Sequence, residues 1–184
     1  MKVITFSIFK GGTGKTTSAV NTVAALVKKG KRVLLAELDQ SAQSTKHLGL
    51  DPQQSPNLYE VYTGTKPAAL AIRKTRFGID VLTSHPLMAA IEEALEPGDE
   101  VKLAEYLTPL KPDYDFILLD APGHKTKLHD NALVAADLVM VVAESERPSL
   151  DGIVGLLNRL QGILWKNSIS SIKSCGVAWR SVDL

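Results

Sequence analysis

SIFKGGTGKTTS, residues 7–18, decides the fold class. It follows the β-branched, apolar run KVITFSIF (2–9). It precedes a segment (16–29) with Val20, Val23, Ala24 and Val27 at helical spacing, with Gly30 set to stop it. A glycine-rich turn between a buried strand and a helix is the context in which G-x-x-x-x-G-K-[ST] binds polyphosphate. Glycines let the backbone N–H groups face the anion, and the helix offers its positive end. Gly14-Lys15-Thr16 supplies the second half of that pattern, but the first glycine is replaced by Phe9, with Lys10 beside it. Phe9 is expected to finish the buried strand, while Gly11 through Lys15 cradle the phosphates. Lys15 then neutralises the β- and γ-phosphates, and the Thr16 hydroxyl suits Mg²⁺, which takes hard oxygen ligands.

The rest of the chain repeats the strand–helix alternation. RVLLAEL (32–38), IDVLT (79–83), FILLDA (116–121), LVMVVAE (138–144) and CGVAWR (175–180) read as further strands. Their near-continuous apolarity is that of strands buried on both faces of a parallel sheet. Residues 149–165 carry Leu150, Ile153, Val154, Leu157, Leu160 and Leu164 on one helical stripe. DPQQSPNLYEVYTGTKP (51–67) is rich in turn formers and reads as a surface excursion. The expectation is α/β: a mostly parallel twisted sheet flanked by helices, of P-loop NTPase type, in a single domain over residues 1–184.

Composition narrows the function. The 184 residues are 45% hydrophobic and 22% charged, with 21 Lys+Arg against 20 Asp+Glu. That balance argues against a globally basic nucleic-acid binder and leaves room for a local patch. Cys175 is the sole cysteine, which excludes an intrachain disulfide and an iron–sulfur cluster of the nitrogenase iron-protein kind. His47, His85, His124 and His129 show no zinc spacing and read as ordinary surface or satisfied residues. The absence of a signal-peptide pattern or long apolar run points to the cytoplasm.

A phosphate site of this kind needs an acid at the end of a second buried strand. YDFILLDAPG (114–123) supplies Asp120, placed to support Mg²⁺ through water. Pro122-Gly123 follows as a tight turn, from which the Gly123 N–H can approach a γ-phosphate.

Together these motifs resemble the deviant Walker A ATPases of the ParA/Soj and MinD kind. KGGTGKTT (10–17) matches that family's K-G-G-x-G-K-[ST]-T throughout. GKRVLLAELDQSAQST (30–45), YDFILLDAPG and NALVAADLVMVVAESERPSLDG (131–152) resemble its later segments. The resemblance implies roles for matching positions. Lys10 is the signature lysine that reaches a partner subunit's ATP. Gly11, Gly12, Thr13 and Gly14 form the phosphate loop. Lys15 is the loop lysine, Thr16 the Mg²⁺ ligand and Thr17 a phosphate contact. Asp39 orients the attacking water and Asp120 supports the metal, so the implied metal set is Thr16, Asp39 and Asp120. Departures fall at Glu37, where the family has Asp, at Gln40-Ser41, where it has Pro-Gln, and at Gly123, where it has Pro. They bear on hydrolysis rate and switch timing more than on ATP binding.

The implied function is an ATP-dependent homodimer that hydrolyses ATP to drive DNA partition or cargo positioning. It would bind DNA non-specifically and answer to a ParB-like or other activating partner. The implied location is cytoplasmic, in association with the nucleoid. The stretch 159–184 is locally basic, with Arg159, Lys166, Lys173 and Arg180 against Asp183, and Trp165 and Trp179 interleaved. A MinD-like membrane helix is not expected after residue 180. Related proteins continue beyond the last strand, so the chain is either a compact member or an interrupted one. The alternative is a metabolic P-loop synthetase or amidotransferase relative that couples ATP to a small molecule.

Overall fold

The apolar runs become strands because each can bury both faces between helices, with polar turn residues at its ends. The computed structural model describes residues 1–144, 147–167 and 174–180, with side chains described for 1–143 and 151–163. The strands are β1 (Lys2–Ser7), β2 (Val33–Glu37), β3 (Ile72–Lys74), β4 (Asp80–Leu82), β5 (Phe116–Asp120), β6 (Leu138–Glu144) and β7 (Ser174–Arg180). They form one sheet in the order β3-β4-β2-β5-β1-β6-β7. Neighbours run parallel except β3 and β4. The helices are α1 (Lys15–Lys28), α2 (Gln43–His47), α3 (Leu58–Tyr62), α4 (Met88–Ala94), α5 (Lys102–Leu107), α6 (Lys127–Val134) and α7 (Arg147–Asn167).

Alternation along the strands sorts the core to the two sides of the sheet. Leu34, Ala36, Ile117 and Leu119 pack with residues of α3 to α6. Val33, Leu35 and Leu118 pack instead with Ala19 and Val23 of α1 and with Leu48 after α2. β1 and β5 are neighbours, but the chain leaves β1 for α1 on one side and β5 for α6 on the other. That divergence opens a crevice at the carboxyl ends of the two strands, where ligands bind in sheets of this type. It sets the loop after β1 beside Asp120.

Most strands fall within a residue of expectation, but β1 stops at Ser7 rather than Phe9. Phe6 and Ser7 are its last partners for β5 and β6, and beyond them the chain leaves the ladder to enter the loop. Ile8 is fully buried and Phe9 half-buried, both outside the sheet. β3 was not expected. It is an antiparallel edge carrying Arg73 and Lys74, and charge of this kind protects an edge from further pairing.

Residues 51–67 are more than a surface excursion. They contain α3, whose Leu58, Val61 and Tyr62 are buried. An Asn57–Glu60 capping box starts that helix. α1 runs from Lys15 to Lys28, and Gly30 follows as the expected stop: its N–H bonds the Val27 carbonyl and Lys31 N–H that of Leu26. On α7 the buried stripe is Leu156, Leu160 and Ile163 with Ile153 beside it, whereas Val154 and Leu157 are exposed. Leu150 and Leu164 lie outside the described side chains. No described helix is long and apolar enough to cross a membrane.

Candidate functional site

The loop after β1 turns on Gly12 (φ 77°) and Gly14 (φ 84°), both left-handed, a conformation costly for residues with a Cβ. Gly14 is the N-cap of α1. No side chain caps this helix and its first turn holds no acidic residue. The first-turn N–H groups and the helix dipole therefore face the loop without a competing carboxylate. Gly11 and Gly12 are exposed, and a Cβ on either would meet nothing within 4 Å. Thr13 is buried and its Oγ1 has no hydrogen-bond partner. Lys15 is 8% exposed.

Asp120, at the end of β5, is 1% exposed. Burial pushes its carboxyl above the usual range. The hydroxyls of Ser44 and Thr16 and the charge of Lys15 pull it back down, while Asp39 pushes upward. Asp39, Thr16 and Lys15 are thus all within electrostatic reach of Asp120. Its Oδ2 accepts the Ser44 hydroxyl at 2.7 Å, and its Oδ1 has no partner. Gly123 sits so close to the loop that a Cβ there would lie 3.2 Å from Lys15 Nζ and 3.6 Å from the Lys10 carbonyl. Lys15, Thr16, Asp120 and Gly123 converge, with Lys10 and Gly11 at the same contact. Asp39 is half-buried at the rim, its Oδ1 accepting Ser41 N–H at 2.9 Å. Thr17 is exposed on the first turn of α1.

Glu37 supports the start of α2. It is fully buried and faces Asp120 in the β2–β5 register. Its two oxygens accept Ser44 N–H at 2.7 Å, Thr45 N–H at 2.8 Å and the Thr45 hydroxyl at 2.6 Å. Burial, helped by the Asp120 charge, pushes it up to about 7 against the pull of those bonds. α2 therefore hangs from the two acids that end β2 and β5.

His129 is neither a surface residue nor a satisfied one. It is fully buried on the first turn of α6, Nε2 2.7 Å from Ser7 Oγ, and its Nδ1 has no partner. Burial, with the Lys15 and Arg159 charges behind it, lowers it to about 3, so the ring is neutral. The Phe9 ring packs on it with centroids 4.6 Å apart, and Lys125 Nζ lies over the Phe9 ring at 5.4 Å. Nothing in KLHDNALV marks that histidine as buried, because its partner lies 122 residues away. Arg159, expected in a basic patch, is paired with both carboxylate oxygens of the buried Asp130. The other members of that patch, Lys166, Lys173, Arg180 and Asp183 with Trp165 and Trp179, lie outside the described side chains.

A cavity of about 220 Å³ adjoins the site, bordered by Leu38, Asp39, Met88, Glu92 and His124. Sequence reasoning had no signal for it, since α4 was not expected.

The AAA domain family matches residues 1–172. Over 164 residues the chain is 34% identical to the sporulation initiation inhibitor protein Soj of Bacillus subtilis, covering 87% of this chain and 65% of that protein. The chromosome-partitioning ATPase Soj of Thermus thermophilus is 36% identical over 154 residues, 84% of this chain and 59% of the other. The chain thus spans less than two thirds of the length of these relatives. Among solved structures, cobyrinic acid a,c-diamide synthase from Mycobacterium smegmatis, with bound ADP and magnesium, superposes with a TM-score of 0.87. It is 28% identical, and the match covers 96% of this chain and 72% of that one. The loop, the paired acids and these likenesses agree: the chain belongs to the AAA domain family, with a P-loop of the ParA/Soj type.

Proposed function

We propose that the protein is one ParA-like domain over residues 1–184 that binds ATP with Mg²⁺, dimerises on it, and hydrolyses it to drive partition of DNA or positioning of another cargo. The observation that carries this reading is the convergence of Lys15, Thr16 and Gly123 on Asp120, whose Oδ1 is buried without a partner. An orphaned carboxylate oxygen beside a hydroxyl and a lysine suits a hydrated cation next to a polyphosphate. The uncapped start of α1 and the unpartnered Thr13 hydroxyl suit the phosphates themselves.

In this scheme Gly11 through Gly14 wrap the phosphates with backbone N–H groups and Lys15 neutralises their charge. Thr17 adds a contact at the helix start. Thr16, Asp39 and Asp120 would hold Mg²⁺, and the ion would supply charge neutralisation to the phosphates. Asp39 at the rim orients water and accepts its proton. Gly123 N–H meets the γ-phosphate, so loss of that phosphate frees the turn that leads into α6. Lys10 reaches across a twofold interface to the partner's nucleotide, which makes the dimer conditional on ATP. A ParB-like protein is the expected activator. Sedimentation of Asp39→Ala with ATP tests the reading, with Lys10→Ala beside it. Asp39→Ala should form a stable dimer and Lys10→Ala should bind nucleotide yet remain monomeric. A monomeric Asp39→Ala, or an unchanged Lys10→Ala dimer, would refute it.

The cavity beside Asp39 favours one second reading: a synthetase-type enzyme that holds a small molecule there while spending ATP on it. Turnover that is slow alone and rises with a metabolite, without dimers, would select it.

A further inference from the structure

α6 begins against a carboxylate that belongs to another helix. Glu92 of α4 accepts Lys127 N–H at 2.6 Å on one oxygen and Leu128 N–H at 2.9 Å on the other. These are the first two amides of α6, and no carbonyl within a helix can reach such groups. Thr126 Oγ1 takes the third, His129 N–H, at 3.0 Å. Lys127 reaches back with its Nζ to the carbonyl of Leu95, which caps the end of α4. An anion at a helix start and a cation at a helix end are both favoured by the helix dipole. The two helix ends are thus tied in both directions, by residues more than 30 positions apart in the chain.

α1 and α6 treat their N-termini in opposite ways. α1 leaves its first turn open toward the loop, whereas the first turn of α6 is filled by Glu92 and Thr126. The start of α6 is therefore an anchor rather than an anion site. What it anchors is the turn between β5 and α6. At the first residue of that turn, Ala121 N–H bonds the Phe6 carbonyl of β1 at 3.4 Å. At its end the chain enters α6 under the grip of Glu92. Gly123 lies between the two anchors, pressed on Lys15 and the Lys10 carbonyl. Ser7 holds His129 from the core side, so Glu92 supplies the restraint from α4.

We propose that Glu92 is a positioning residue: it clamps the start of α6 so that Gly123 stays against the phosphate loop, and so sets how strongly the site prefers a nucleoside triphosphate to a diphosphate. The preference rests on the nucleotide reading above, in which Gly123 N–H meets the γ-phosphate; the clamp itself does not.

The test compares the full chain with Glu92→Gln, Glu92→Asp and Glu93→Gln. Affinities are measured for fluorescent ADP and for a fluorescent non-hydrolysable ATP analogue, each with Mg²⁺. Amide hydrogen exchange at Lys127 and Leu128 is measured without nucleotide. Glutamine has one acceptor oxygen and sets an N–H donor against the second amide. Glu92→Gln should therefore weaken the triphosphate by about fivefold or more, the lower end of coupling between sites, and leave ADP nearly unchanged. Exchange at the two amides should speed up by about tenfold, as expected for losing bonds to a charged acceptor. Glu92→Asp keeps the charge on a shorter arm and should fall between; it carries the comparison if the glutamine variant does not fold. Glu93→Gln removes the same charge one residue along α4, at an exposed position, and should behave like the parent. Loss of a negative charge near an anion would by itself tighten the triphosphate, so the expected weakening has the opposite sign to a bare charge effect. Equal losses for the two nucleotides, or equal shifts in Glu92→Gln and Glu93→Gln, overturn the positioning role. Unchanged exchange at Lys127 and Leu128 overturns the clamp. If the parent binds neither nucleotide, the nucleotide reading falls while exchange in the variants still decides the clamp.

Discussion

Ser7 Oγ and His129 Nε2 lie 2.7 Å apart in the core, joining the strand that enters the phosphate loop to the helix that follows Gly123. The imidazole there is neutral, held down to about 3 by burial and by the Lys15 and Arg159 charges. An unfolded chain takes up this proton near the ordinary value of about 6.5, whereas the folded chain refuses it until about 3. The folded pKa is depressed, so the stability His129 contributes is present above 6.5 and is lost as pH falls through that window. The loss is about 1.4 kcal/mol per pH unit at most. His129→Gln, neutral at every pH and able to bond Ser7, should show a shallower decline of its urea midpoint between pH 6 and pH 4. Parallel declines for the two proteins would refute the assignment.

Two glycines on α7 should respond in opposite directions to alanine. A Cβ on Gly152 would lie 3.2 Å from Ile8 Cγ1 and 3.6 Å from the Phe9 carbonyl, and Ile8 is fully buried. Overpacking of this kind costs about 1–3 kcal/mol, enough to exceed the helix-propensity gain of about 1. A Cβ on Gly162 would meet nothing within 4 Å, so Gly162→Ala should stabilise by about 0.5–1 kcal/mol. Thermal or urea unfolding of both variants gives the signs directly.

Glu37 should matter for its reach. Removing its carboxylate leaves the buried N–H groups of Ser44 and Thr45 without their partners. Glu37→Ala should therefore cost about 2–3 kcal/mol by urea unfolding. Glu37→Asp, one methylene shorter, should fall between the two, since it cannot meet all three donors at 2.6–2.8 Å. An Asp variant as stable as the parent would show that the longer arm is incidental.

What was legible in the sequence had a local cause. The strand-loop-helix at residues 2–28 and the strand before Asp120 were readable because apolar continuity, glycines and the following helix period sit within a few residues of one another. α2 was not readable. Its N-cap is Ala42 in the left-handed region at φ 51°, and its support comes from Glu37 and Asp120, the latter 76 residues from Ser44. The same holds for His129, whose burial depends on β1 and Phe9. Arg159 looked like part of a basic face because Asp130, its partner, is on another helix.

Gly123 stands where the family has proline, and its place against the loop gives that departure a physical meaning. A Cβ there would lie 3.2 Å from Lys15 Nζ, 3.6 Å from the Lys10 carbonyl and 3.7 Å from Gly11 Cα. The nearest of these is the far end of a flexible side chain, which can move aside; the other two are ordinary contacts. Gly123→Ala should therefore change the unfolding free energy measured in urea by less than about 0.5 kcal/mol, within the range of a benign substitution. The ammonium it displaces is the one proposed to neutralise the phosphates. Affinity for a fluorescent ATP analogue should fall by about tenfold, equivalent to about 1.4 kcal/mol. The two measurements separate the possibilities. Unchanged affinity with unchanged stability would mean that Lys15 does not need its present position. A large loss of stability would mean that Lys15 is locked in place by the fold rather than held ready for an anion.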